Sequence, residues 1–267
     1  MKKTIVLLAG LSLICSSAPL SAQVTVFSDD FESGNMSLWT TTGTSPLTID
    51  NTQNVVPGGG TFSALLDNSA DRMHRNIIGD AGGTEISGHS IFTSYWYDEA
   101  GTATRFYNEV RGYSGGTGLP NGGSTADGAL AQLFAIGKYN TVTLAGDVYD
   151  ATKYQARVVF GTTTGWFNLN AAGSPDRSVG WHKFSIERLA DGTTINFYVD
   201  DILGRTITGA TDVSWDTLII GGGLGSTVGN AWTDGISLTV VPEPSTLALS
   251  LIGGLGLMFF IRRRRNA

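Results

Sequence analysis

The 267-residue chain has a single cysteine, Cys15, and that residue lies inside an N-terminal leader. The leader carries Lys2 and Lys3, an apolar run from Ile5 to Ile14, and small residues Ser16, Ser17, Ala18, Ser21 and Ala22. A charged start, a short apolar centre and a small-residue exit make residues 1–22 a Sec-type signal peptide, too short for a stable span. Cleavage is expected after Ala22, with the Sec translocon as the export partner. Ile14 precedes Cys15 where lipidation would need a small residue. The mature chain is therefore expected to hold no cysteine, which excludes a disulfide, a thiolate metal site and a cysteine nucleophile.

Charge is also scarce, at 15% of residues. Removing Lys2, Lys3 and the four tail arginines from the 17 basic residues leaves 11, against 22 of the 23 acidic residues, so Gln23 to Val241 is near −11. That balance argues against nucleic acid or an anionic membrane surface as a partner, and is compatible with calcium. The three histidines, His74, His89 and His182, show no His-x-His or His-x-x-x-His spacing, and no Gly-x-Ser-x-Gly elbow occurs. His182 is expected to pack or hydrogen-bond beside Trp181. No stretch longer than a turn or two has helical periodicity.

What is present is strand sequence. Glycine is abundant, with 36 residues in the chain, and Thr and Ser are dense. Gln23 to Val241 is long enough to bury a sizeable core, in one domain ahead of the alternative of two small ones. Expected strands are Val24 to Phe27, Leu47 to Ile49, Phe62 to Leu66, Arg72 to Ile78, Ser90 to Tyr97, Arg105 to Tyr113, Leu130 to Ile136, Thr141 to Leu144, Tyr154 to Phe160, Trp166 to Leu169, Trp181 to Arg188, Thr194 to Asp200, Thr217 to Ile220 and Trp232 to Val240. Ser90 to Tyr97 is apolar or aromatic on both faces, which marks a central strand. Asp191 and Gly192 supply a hairpin turn between two strands whose Phe184, Ile186, Ile195, Phe197 and Val199 face one core. Gly115 to Gly128 reads as a long surface loop. Roughly 12 to 14 strands fit two packed antiparallel sheets.

The run Gly180, Trp181, His182, Lys183, Phe184, followed by Asp191, Gly192 and then Phe197, Tyr198, Val199, Asp200, resembles the laminin-G and concanavalin-A-like jelly-roll family. The resemblance implies an all-β fold, an antiparallel two-sheet jelly-roll β-sandwich over residues 23–241. Asp201 stands where that family has glycine, which weakens the turn. Jelly-roll enzymes that cut β-glucans resemble one another in a strand with Glu-x-Asp-x-Glu or Glu-x-Asp-x-x-Glu. Glu32, Glu85, Glu99, Glu109 and Glu187 each lack an Asp two residues later, so no catalytic residue is assigned and the chain is expected not to be an enzyme. Asp98 and Glu99, the closest acidic pair, are expected to end a strand in a solvated turn.

Two binding expectations remain. Asp29, Asp30 and Glu32 end the first strand and Asp234 lies in the last. If those strands are neighbours, Asp30, Glu32 and Asp234 are a ligand set for a structural calcium ion. A sugar needs an exposed flat aromatic ring, and Tyr113, Trp166 and Trp232 lie near glycine-rich loops. Trp96 and Trp181 are placed in the core.

After Val241 the chain reads Pro242, Glu243, Pro244, Ser245, Thr246, an uncharged run from Leu247 to Ile261, then Arg262, Arg263, Arg264 and Arg265. Two prolines end the folded domain, and the arginines make a positive-inside membrane stop. In order, these features are similar to the PEP-CTERM sorting signal, here residues 242–267. The resemblance implies an exosortase-type processing enzyme as partner and the cell envelope, surface or extracellular matrix of a Gram-negative bacterium as destination. As a transmembrane helix, Leu247 to Ile261 would rise about 22 Å, short of the roughly 30 Å hydrocarbon core. The anchor is thus expected to be transient and processed. The function expected is a non-catalytic surface or matrix protein that binds extracellular polysaccharide. A glycoside hydrolase or polysaccharide lyase with an unrecognised site, and a protein-adhesion or coat module, stand as alternatives.

Overall fold

The computed structural model describes residues 23–241, apart from 43, 54–59, 69, 84–85, 102–104, 115–129, 212–213 and 223–229. The expected signal peptide, the whole of the expected loop at 115–128, and the tail with Pro242, Glu243, Pro244 and Arg262 to Arg265 lie outside the described residues. Among the described residues no helix is long and apolar enough to cross a membrane.

Every named element is a strand: β1 Val24–Asp29, β2 Thr40–Thr41, β3 Thr48–Asp50, β4 Ser63–Leu66, β5 Arg72–Asn76, β6 Ser90–Asp98, β7 Phe106–Tyr113, β8 Leu130–Lys138, β9 Gln155–Phe160, β10 Thr163–Asn168, β11 Gly180–Arg188, β12 Ile195–Val199, β13 Ile202–Ile207, β14 Thr217–Gly221 and β15 Ala231–Val240. They form two antiparallel sheets. Sheet A runs β13-β12-β11-β6-β15-β4-β3, with β1 also paired to β15, and sheet B runs β10-β9-β8-β7-β14-β5-β2. The result is an antiparallel two-sheet, jelly-roll-like β-sandwich, as the strand pattern predicts.

The core follows from period-2 alternation. On β6, Phe92, Ser94 and Trp96 are buried while Ile91, Thr93, Tyr95 and Tyr97 are only partly so. From the opposite sheet, Phe106 packs its ring 5.0 Å from Trp96. Phe184, Ile186, Ile195, Phe197 and Val199 join the same buried cluster. Each such side chain contributes about 1.5–3 kcal/mol by leaving water. The β11–β12 hairpin forms at the expected place: Asp191 Oδ1 accepts from the backbone N–H of Thr193 and Thr194, each at 2.8 Å.

The structure departs from the sequence reading at several points. Thr141 to Leu144 is a loop, because the N–H groups of Thr143 and Leu144 both donate to the Trp166 carbonyl instead of starting a ladder. β13 is an additional strand, reached through Asp200 and Asp201, both at positive φ (51° and 63°). Asp98 is not in a solvated turn; it is fully buried and pairs with Arg177 at 2.9 and 3.0 Å. Trp181 is not in the core. With His182, Phe184 and Ile186 facing inward, alternation turns Trp181 outward, where it is half-buried and meets Tyr97 edge-on at 5.7 Å.

Candidate functional site

Every residue of β7 is buried, so both faces of this strand are withdrawn from solvent. Paired residues of an antiparallel sheet share a face. The register of sheet B therefore sets Trp166, Arg157, Ala135, Glu109, Ile219 and His74 in one row on the face turned away from the core. β7 is the middle strand of the seven, so Glu109 lies near the centre of the face. Tyr107 and Arg111 flank Glu109 along β7, and Arg72 is two residues before His74 on β5.

Glu109 is held from two sides. Arg72 Nη2 donates to Oε1 at 2.7 Å, and Arg111 donates to Oε2 through Nε at 2.7 Å. Arg111 Nη1 also donates to the Tyr113 hydroxyl at 3.0 Å. Burial alone would raise the Glu109 pKa, but the Arg111 and Arg72 guanidinium groups hold it below the usual carboxylate range. A carboxylate fixed in this way accepts hydrogen bonds and has no proton to give. His74 is pressed below its ordinary pKa by burial and by the charges of Arg72 and Arg111, which leaves it neutral at pH 7.

Beside this network lies an aromatic layer separate from the main core, made of Tyr107, Leu133, Ala135 and Trp166. Tyr107 meets Trp166 edge-on at 5.0 Å, and Tyr139 stacks flat on Trp166 at 4.1 Å with 6° between the planes. Arg105 caps the stack, its Cζ 4.7 Å from the Tyr139 ring centre. Gly137 lets β8 close on β7 here: at its φ of +153° a Cβ would sit 2.2 Å from the Phe106 carbonyl oxygen. The Tyr107 hydroxyl is buried without a hydrogen-bond partner, as are Arg72 Nε and Arg157 Nε. Burial, and next the Glu109 charge, push the Tyr107 pKa far up, so the phenol keeps its proton. The face therefore holds buried donor atoms that have no acceptor among the described residues.

The three aromatic residues expected to bind sugar are divided between the sheets. Tyr113 and Trp166 belong to the face just described, while Trp232 lies on the outer face of sheet A and donates from Nε1 to Asp50 Oδ1 at 2.9 Å. At 1%, 4% and 5% exposure, none of the three presents an open ring. The expected calcium set is brought together only loosely. β1 does pair with β15, and Asp234 is buried, its pKa pushed up to about 7 by burial and then by Glu32, Asp30 and Asp29. However, Glu32 Oε1 accepts from the N–H groups of Thr61 and Phe62 at 2.7 and 2.8 Å, and Asp30 Oδ1 accepts from Glu32 N–H at 3.3 Å. Among the described residues no group of three or more His, Cys, Asp or Glu is placed to hold a metal ion.

The reading from sequence missed Arg72, Glu109, Arg111 and Arg157 as a group. One signal was available: β7 alternates Tyr107, Glu109, Arg111, Tyr113 against Phe106, Asn108, Val110, so its second face is charged and aromatic. Sheet A offers a different hollow, an open groove of about 460 Å³ lined by Thr93, Tyr95, Lys183, Ser185, Tyr198 and Ser237, among others.

β15 ends at Val240, and residues 240–265 match the PEP-CTERM protein-sorting motif. The tail is a PEP-CTERM sorting signal. It marks the chain for export to the cell envelope or surface and implies processing by an exosortase. Among solved structures, the chain is similar to a conserved carbohydrate esterase from the Shiga toxin-encoding bacteriophage phi24B, with a TM-score of 0.53, 13% identity, and 83% of this chain and 100% of that one covered. It is also similar to an endo-1,3-beta-glucanase (laminarinase) catalytic domain from Thermotoga petrophila, with a TM-score of 0.46, 13% identity, and 84% and 100% covered. A Bacillus licheniformis beta-glucanase matches with a TM-score of 0.44, 14% identity, and 81% and 98% covered. At these identities the likeness concerns the fold. No curated protein matches the chain.

Proposed function

We propose that this PEP-CTERM chain is a non-catalytic polysaccharide-binding protein of the Gram-negative cell surface or extracellular matrix, and that it binds its ligand on the outer face of sheet B. The observation that carries the proposal is the set of buried donors without acceptors, Tyr107 hydroxyl, Arg72 Nε and Arg157 Nε, beside the Tyr139–Trp166 stack. A glycan is rich in acceptor oxygens, and the carbohydrate-active proteins of similar fold add support.

Glu109 supports the non-catalytic part of the proposal. A glycosidase needs two carboxyl groups, one of them a protonated acid. Glu109 is the only acidic strand residue on this face among the described residues, and two arginines keep it ionised. One observation favours a polysaccharide lyase as a second reading: neutral His74 and protonated Tyr107 share the face with the arginines, and elimination needs a base and an acid near a neutralised carboxylate. Retention of the purified chain on a polysaccharide panel, with chemical analysis of the panel afterwards, tests both. Binding with intact glycan supports the proposal, and unsaturated products identify a lyase. No retention on any glycan, together with self-association, leaves the adhesion or coat role.

A further inference from the structure

We infer that the outer face of sheet B takes the carboxylate groups of a uronate-bearing polysaccharide. This inference rests on the polysaccharide-binding reading and adds the charge of the ligand.

The domain is strongly acidic, yet three of the 11 basic residues between Gln23 and Val241, namely Arg72, Arg111 and Arg157, share a face on which Glu109 is the only acidic strand residue among those described. Arg157 is close enough to act electrostatically on both Glu109 and Tyr107. Among the described strand residues of this face three guanidinium groups stand against one carboxylate, Arg105 adds a fourth beside the Tyr139 ring, and His74 on β5 is neutral. Charge withdrawn from water is ordinarily paired, because isolated charge is costly to bury. Glu109 already serves Arg72 and Arg111, whereas Arg157 is half-buried with no carboxylate partner among the described residues, which leaves it open to a group from outside.

The unmatched donors say what that group must bring. Leaving a donor buried without an acceptor costs about 1–3 kcal/mol, and Tyr107, Arg72 and Arg157 each have one such atom. A neutral sugar hydroxyl supplies acceptors without charge. A uronate carboxylate supplies both, in the planar form that a guanidinium matches with paired hydrogen bonds. A sulfate ester carries the charge without that planarity.

The test uses the full chain purified in detergent and titrated against polygalacturonate, dextran sulfate and a neutral β-glucan. Polygalacturonate is expected to bind at least about tenfold more tightly than the β-glucan, and to weaken as salt is raised. Arg157→Ala is expected to lower that affinity by about tenfold or more. Arg157→Gln keeps the length of the side chain and serves where the alanine variant does not fold. Equal binding of the neutral glucan, preference for dextran sulfate over polygalacturonate, or an Arg157→Gln affinity within about twofold of wild type would each overturn the carboxylate assignment while leaving polysaccharide binding in place. Retention on no glycan removes both.

Discussion

Arg72 on β5 reaches past the intervening strand β14 to Glu109 on β7, closing a 2.7 Å ion pair between two fully withdrawn side chains. The approach depends on Gly221, where a Cβ would lie 2.4 Å from the Asp71 carbonyl oxygen and 3.2 Å from Arg72 Cα. Two strands that are not neighbours are thereby tied to the middle of the sheet, and the arginines of the proposed binding face are fixed in place.

Removing one partner of a buried pair leaves the other charge unmatched. Glu109→Ala strands Arg72 and Arg111 together and is expected to destabilise the protein by about 3–5 kcal/mol. Glu109→Gln, which keeps an acceptor oxygen, should cost less. Urea unfolding measures both, and a loss under about 1 kcal/mol for the alanine variant would mean that the network is solvated.

Asp234 makes stability depend on pH with a definite sign. Its folded pKa is about 7 against an ordinary 3.8, so between those values the folded state retains a proton that the unfolded state has released. The penalty for ionising it is absent below the lower value, grows as pH rises through the window, and is complete above the upper one. Asp29, also raised by burial, acts in the same direction. Asp234→Asn is expected to leave stability at pH 4 nearly unchanged and to raise it at pH 8 by at least about 1 kcal/mol, since one pKa unit corresponds to about 1.4 kcal/mol. Equal effects at the two pH values would show that the carboxyl is not buried as described.

The turn between β12 and β13 places Asp201 at a φ of 63°, a conformation that suits glycine. Its side chain pairs with Lys183 at 2.7 Å, but the carboxylate is 72% exposed, and such a surface pair contributes little. Asp201→Gly is expected to raise the urea midpoint modestly, by about 0.5–1 kcal/mol in stability. A clear fall would mean that the ion pair outweighs the backbone strain.

The strands could be read from the sequence because most alternate cleanly. β6, with Phe92 and Trp96 inward, and the β11–β12 hairpin around Asp191 and Gly192 form as the pattern requires. Trp181 was legible too: placing Phe184 and Ile186 in the core already commits Trp181 to the opposite face, and hydrophobicity alone misled. Asp98 was not legible, because its partner Arg177 lies 79 positions away and nothing local announces the pair. The binding face was hidden for the same reason. Glu109 and Arg111 are adjacent on one face of β7, but Arg72 and Arg157 come from strands far along the chain, and only the register of sheet B assembles them.

Hydrogen exchange with and without the polysaccharide that the chain retains tests the central claim most directly, because sheet B and the groove on sheet A are separate surfaces. Binding on the outer face of sheet B is expected to slow exchange in β7, β9 and β10, around Glu109, Arg157 and Trp166, and to leave β6 and β11 unchanged. Protection confined to β6, β11 and the groove around Tyr95 and Ser185 would contradict it.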